Sequence, residues 1–262
     1  DWFNNLNFRK AIAHAIDRED MIKSIYLGVG SPICSSYSGD SIYYNHSLFE
    51  ECPSKANLTA AKELLKQGGF RLDEKKQELY DKKGNRVSFT LYTNATNITD
   101  TTSPRELMAS LIKEQLDKLG IEVNLKVLEF NSLVVRLMQS GDWQTCIIGF
   151  GGADLYEPNS AANVLKSNSR LHIFDQRPQG KTVSDLRPWE AEIDKLVNEG
   201  TSKISFNERK AYYYRIQEIL WTQQPMIYLV TPEVLFAIND KQINNVVPSN
   251  LAGSFYNLEQ WF

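Results

Sequence analysis

The sequence predicts an α/β fold in which a mixed β-sheet is flanked by helices, and three observations carry that expectation. Between Val87 and Phe150 the pattern runs strand, helix, strand, helix, strand, the signature of a sheet built with crossover helices. Hydrophobic residues are 42% of the 262, with 12 Phe, 12 Tyr and 5 Trp, which is ample material for a core and excludes wholesale disorder. Capping residues and glycines fall between the periodic stretches, where helix and turn chemistry needs them.

Taken in order, Phe8, Ile12, Ala15 and Ile16 recur at helical spacing from Asn7. Asp17 or Asp20 can cap a second short helix carrying Met21, Ile22 and Ile25, with Gly28 and Gly30 as stop signals. A long Ser-, Tyr- and Pro-containing loop is expected to Ser54, after which Asn57 caps a helix with Leu58, Ala61, Leu64 and Leu65 on one face, ended by Gly68 and Gly69. Leu79 and Tyr80, the turn from Asp81 to Asn85 and the run Val87 to Thr93 read as a β-hairpin turned at Gly84. Pro104 suits the first position of a helix to Leu119, closed by Gly120. A strand from Ile121 to Leu128, a helix from Phe130 to Ser140 and a buried strand from Gln144 to Phe150 follow. Helices from Pro188 to Gly200 and Ser205 to Gln223 come next, then strands from Met226 to Val230 and Val234 to Ile238.

Charge and composition narrow the function. Twenty-nine basic against 32 acidic side chains leave a net charge of −3, without the basic excess or stripe of a general nucleic-acid binder. No apolar run approaches the roughly 20 residues a membrane-spanning helix needs. Of the three cysteines, Cys34 and Cys52 lie in one loop-like stretch and can pair, which implies an oxidising compartment, whereas Cys146 sits in an apolar run and reads as a buried thiol. Residues 1–7 show neither the charged nor the apolar region of a secretory signal, and a helical pattern begins at once, as though in mid-protein.

Most catalytic and metal signatures are missing. The three histidines lie far apart in sequence and no HExxH or CxxC is present; a Cys34, His46, Cys52 zinc set lacks a fourth ligand. No GxSxG elbow occurs. The turn from Gly149 to Asp154 follows a strand, but the third glycine of a dinucleotide loop would fall at Asp154, so a phosphate would meet a carboxylate. No cofactor is expected. Asp154 and Glu157 can instead serve acid/base work in a hydrolase or transferase, or, beside Tyr156, hold a cationic group of a ligand; Asp154 or Asn159 can equally cap the helix that follows. At another strand end, Asn94 and Asn97 offer amide groups to a ligand and Arg105 can meet a carboxylate, although turn asparagines are common. The aromatic stripe of Tyr212, Tyr213, Tyr214 and Trp221 reads as core packing, with a protein-interaction surface as the rival.

Taken together, these stretches resemble one family. Phe8-Arg9-Lys10-Ala11-Ile12-Ala13-His14-Ala15-Ile16-Asp17-Arg18 is similar to the R-x-A-[IV]-x-x-A-I-D-R element of oligopeptide/dipeptide-type extracellular solute-binding proteins (family 5), the lobed receptors of ABC importers. Ala61, Leu64, Leu65, Gly68, Gly69 and Phe70 match that family's A-x-x-L-L-x-x-A/G-G-F/Y segment, and Leu119-Gly120-Ile121-Glu122-Val123 its L-G-I-x-V strand. The turn GFGGADLYEPN resembles its G-W-x-x-D-Y-x-x-P loop, with Gly151 in place of the Trp, and Arg209, Tyr213, Gln217, Ile219, Leu220 and Pro225 echo its late helix and strand.

The resemblance implies one lobe of a class II periplasmic-binding-protein-like clamshell, matched to the carboxy-terminal half of longer receptors. Residues 1–231 would form the ligand-binding lobe and 232–262 strands and tail returning to an amino-terminal lobe, with signal, lipid anchor and that lobe upstream. Its implied partners are a peptide or other small solute and ABC permease subunits, with no nucleic acid and membrane contact only through the anchor. The implied location is the periplasm or the outer face of the cytoplasmic membrane of a bacterial envelope. In the family the loop aspartate pairs with the peptide's amino terminus, and Asp154 matches it; members also take nickel complexes, heme and sugars. No enzymatic activity is implied.

Overall fold

Helix signals act locally, and the first helices form where those signals lie. The computed structural model describes residues 2–37, 39–50, 52–95, 102–150, 158–175, 186–233, 235–239, 241–249, 253 and 255–262. Helix α1 (Leu6–Ala15) is capped by Asn5, whose side chain accepts from the amides of Asn7 and Phe8. Helix α2 (Arg18–Ile25) is capped by Asp17, which accepts from Asp20 N at 2.9 Å. The chain then forms a short strand β1 (Gly30–Pro32) and a loop stapled by a Cys34–Cys52 disulfide, with Cα atoms 5.9 Å apart. That bond removes the zinc reading of Cys34, His46 and Cys52, since neither sulfur is free to ligate. His46 packs instead on the Tyr44 ring at 4.9 Å. Helix α3 (Leu58–Gln67) begins at Asn57, which accepts from Ala60 N at 2.9 Å.

The hairpin expectation is corrected. Strand β2 (Arg71–Asp73) pairs antiparallel with β3 (Glu78–Tyr80), and the Asp81–Asn85 turn carries only a single Tyr80–Arg86 bridge towards β4 (Ser88–Asn94). Leu79 and Tyr80 are taken by β2, and the turn meets the β4 run only at its start, where Val87 N donates to Leu79 O at 2.8 Å. Helix α4 (Pro104–Asp117) has a full capping box between Ser103 and Glu106, with Pro104 at its first position. Strand β5 (Glu122–Leu128) pairs with β4 along its whole length, Ser88 opposite Glu122 and Asn94 opposite Leu128. Helix α5 (Phe130–Val135) continues through a π turn at Arg136–Ser140 that stops at left-handed Gly141. Strand β6 is only Thr145–Cys146, shorter than the 144–150 expected, with Ile147 N still donating to Tyr92 O at 2.8 Å.

The sheet order is therefore β5-β4-β6, with the first strand in the middle. Its two faces are covered by successive crossovers, since Met108, Ala109, Ile112 and Leu116 of α4 join Phe89 and Leu91, while Leu133 and Leu137 pack with Tyr92. Helices α1 and α3 extend the first cluster, with Phe8 stacked on Phe70 at 5.0 Å.

A second core forms further along. Helix α6 (Ala162–Leu165) leads to α7 (Pro188–Thr201) and α8 (Phe206–Gln223), where Ile193, Val197, Tyr213, Ile216 and Leu220 pack with Tyr37 and Tyr43 of the disulfide loop. Tyr213 is buried, so the stripe packs a core and the interaction-surface rival falls. Strand β7 (Val230–Pro232) pairs antiparallel with β1. The expected strands 226–230 and 234–238 are otherwise not formed among the described residues, because β1 supplies the edge only for 230–232. Large apolar side chains of this tail stay exposed, Leu235 at 74%, Phe255 at 67% and Phe262 at 80%.

Two buried polar hubs tie these parts together. Arg18 is 1% exposed, and its guanidinium donates to the carbonyls of Tyr228 (2.9 Å), Ala13 (3.2 Å) and Pro53 (3.1 Å). Burial lowers its pKa to about 10, so it remains charged at neutral pH. Gln217 accepts from Asn45 N at 3.0 Å and donates to Tyr43 O at 2.8 Å, holding the disulfide loop on α8.

Candidate functional site

In the sheet order β5-β4-β6 the second strand lies on one side of the first and the third on the other. Such a reversal opens a crevice at the carboxy end of the middle strand, where open α/β sheets bind ligands. Asn94 is the last residue of β4 and is buried there. Its carboxamide oxygen accepts from Arg105 Nη1 at 2.8 Å, and its amide donates to the carbonyl of Ala95 at 3.1 Å. The Ser103 hydroxyl donates to the Asn94 carbonyl at 3.1 Å, which docks the first turn of α4 on the strand end.

Arg105 is the second residue of α4 and is half-buried. A cation at a helix amino terminus opposes the macrodipole by roughly 0.3–1 kcal/mol, so its placement needs another reason. Gly149, on the segment leaving β6, supplies the space: a Cβ built there would lie 2.6 Å from Arg105 Nη2. The guanidinium thus lies over bare backbone, held on one side by Asn94, with further donors available to an acceptor such as a carboxylate. Tyr26, just after α2, lies within electrostatic reach; burial pushes its phenol up and Arg105 pulls it partly back.

The structure therefore brings together Asn94 and Arg105 of the expected set. Asp154, Tyr156, Glu157 and Asn97 lie outside the described residues, the first three between Phe150 and Pro158. Asn159 has a different set of partners: its side-chain oxygen accepts from Tyr213 OH at 2.7 Å and Thr201 Oγ1 at 3.1 Å, linking its turn to α7 and α8. It makes no side-chain cap for α6. Sequence reasoning missed Gly149 as part of this edge; the only available signal was a glycine at the end of an apolar strand. Among the described residues no group of three or more His, Cys, Asp or Glu can hold a metal ion. At the opposite end of the sheet a cleft of about 270 Å³ is lined by Phe3, Arg9, Trp143, Phe174 and Trp189. Arg9 is engaged there by the carbonyls of Phe3, Gln223 and Gln224.

Comparison with known proteins decides the family. The model for bacterial extracellular solute-binding proteins, family 5 (middle), matches residues 1–171. The chain belongs to this family. A probable ABC transporter-binding protein of Deinococcus radiodurans is 28% identical, over 96% of this chain and 43% of its own length. The oligopeptide-binding protein AppA of Bacillus subtilis is 27% identical, over 99% of this chain and 44% of its own. The chain thus spans less than half the length of these curated relatives.

Solved structures show the same fold. That of Bacillus subtilis AppA in complex with a nonapeptide superimposes with a TM-score of 0.71 at 23% identity, covering 100% of this chain and 48% of that one. The periplasmic binding protein MelB of Agrobacterium fabrum, in complex with stachyose, gives 0.74 at 22%, covering 86% of this chain and 33% of that one. These family 5 relatives are solute-binding proteins, and the family is extracellular by description.

Proposed function

We propose that this chain forms one lobe of a two-lobed receptor that captures a solute, most directly a peptide, and presents it to the permease of an ABC importer. The solute binds at the carboxy edge of the β5-β4-β6 sheet, against a second lobe contributed by the rest of the receptor. The observation that carries this reading is the Asn94–Arg105 pair over Gly149, a charged donor fixed at the switch point of the sheet. Arg105 takes a carboxylate of the solute, and Asp154, with Tyr156 and Glu157, takes its cationic end. Loose side-chain selectivity follows where main-chain groups and terminal charges supply the affinity. Family membership and the nonapeptide-bound relative support peptide as the cargo.

Residues 1–231 form the binding lobe, and 232–262 pack on the other lobe. The exposed Leu235, Phe255, Leu258 and Phe262 support that division, since an apolar surface of this kind is expected where a partner surface is to be covered. Closure of the two lobes on the solute is a hinge-type population shift that the permease reads. The receptor works without catalysis, in the oxidising space outside the cytoplasmic membrane of a bacterial envelope, where the Cys34–Cys52 bond persists.

Native mass spectrometry of the full-length protein, purified without added ligand, tests this. A ladder of co-purifying peptides is the expected result. A single sugar or metal complex overturns the peptide part and keeps the receptor part, whereas catalytic turnover of a peptide by the purified protein overturns both.

A further inference from the structure

We infer that the cleft at the opposite end of the sheet from Asn94 and Arg105 is a second binding site, one that takes a small aromatic carboxylate. It does not rest on the solute-binding reading above. The polar groups around this cleft have spent their acceptors and kept their donors. Gln144, just ahead of β6, accepts from Thr90 N at 2.7 Å with its side-chain oxygen, which leaves its amide hydrogens without a partner among the described residues. Asn4 accepts from Arg187 Nη2 at 3.2 Å with its oxygen and is left with the same two donors. Arg9 gives one hydrogen from each of its three nitrogens to the carbonyls of Gln224, Phe3 and Gln223, so those acceptors are occupied too, while its Nη1 and Nη2 each keep one more.

Charge points the same way. Arg9 and Arg187 both line the cleft, and no Asp or Glu does among the described residues. Burial first, and the Arg187 charge second, lower the pKa of Arg9. An anion in the cleft offsets that repulsion and takes up the spare N–H groups. The walls set the rest of the ligand. The rings of Phe174 and Trp189 lie 20° from parallel with centroids 6.4 Å apart, and the Arg187 guanidinium stands 6.0 Å from the Trp189 ring centre. Trp143 and Phe3 add two more aromatic surfaces. At about 270 Å³ the cleft suits one flat ring with its acid group, too little room for an extended peptide.

The test labels the full-length protein with 15N-tryptophan and titrates it with benzoate and with benzamide, its neutral counterpart. Benzoate should shift the indole signals of Trp143 and Trp189, and benzamide should need at least about ten times the concentration for the same shift. N4D and Q144E each keep the oxygen that accepts from Arg187 or Thr90 and replace the spare amide by an anionic oxygen. Each should weaken benzoate at least about tenfold, with the thermal midpoint within about 2 °C of wild type because both positions are exposed. Absence of a shift at both tryptophans, an equal response to the two probes, or undiminished benzoate affinity in either folded variant overturns the site.

Discussion

Arg18 and Arg105 lie on adjacent packed helices and serve opposite ends. Arg18 is buried at the start of α2, its guanidinium spent on backbone carbonyls from three separate segments, Ala13, Pro53 and Tyr228. Arg105 is half-buried at the start of α4, with one carboxamide partner and a glycine beneath it. Desolvation explains the difference. A charge taken wholly from water must be satisfied within the fold, and then it cannot serve a ligand. One left at a crevice keeps donors for a guest. The residue that ends the family-like element Phe8 to Arg18 is thus a fastener, and Arg105, the arginine proposed to meet the ligand, stands outside that element.

Breaking the fastener should have the largest effect. Arg18→Met should cost about 3–5 kcal/mol of stability, because the carbonyls it serves lose their donor, and urea unfolding will measure the loss. Replacing Cys34 and Cys52 by serine should cost about 3 kcal/mol by freeing the loop in the unfolded chain, read as a lower midpoint that reductant no longer moves. Arg105→Ala should change stability by less than about 1 kcal/mol but weaken solute binding at least about tenfold, the reverse of the Arg18 result. Equal losses of stability in the two arginine variants would erase the contrast. The smallest effect belongs to Cys146. Burial raises its pKa to about 12, so at pH 8 the thiolate is scarce and alkylation of the native protein should stay negligible until it unfolds.

What the sequence disclosed follows the range over which each signal acts. Asn57, Asp17, Pro104 and Gly120 mark helix ends through contacts a few residues long, and each acts where expected. Strand pairing depends on which edges remain free, which no local pattern states; hence Leu79 found β2 rather than β4, and the run after Met226 formed only Val230–Pro232. At the candidate site, the nearness of Asn94 and Arg105 was legible because both fall at a strand-to-helix junction. Gly149 was not, since its role depends on a side chain 44 positions earlier in the chain. Arg18 and Gln217 gave no hint of their burial, because residue type alone does not tell a polar hub from a solvated surface.

If Arg105 meets the solute as proposed, the bare backbone at Gly149 is a place where binding can be lost without loss of the fold. One added methyl there would push against the guanidinium of Arg105 and not against the packed interior, so the chain should still fold and still close its disulfide. On the proposed reading it would hold its solute less well, and loss of solute uptake with undiminished protein abundance is the phenotype expected in a strain carrying that change.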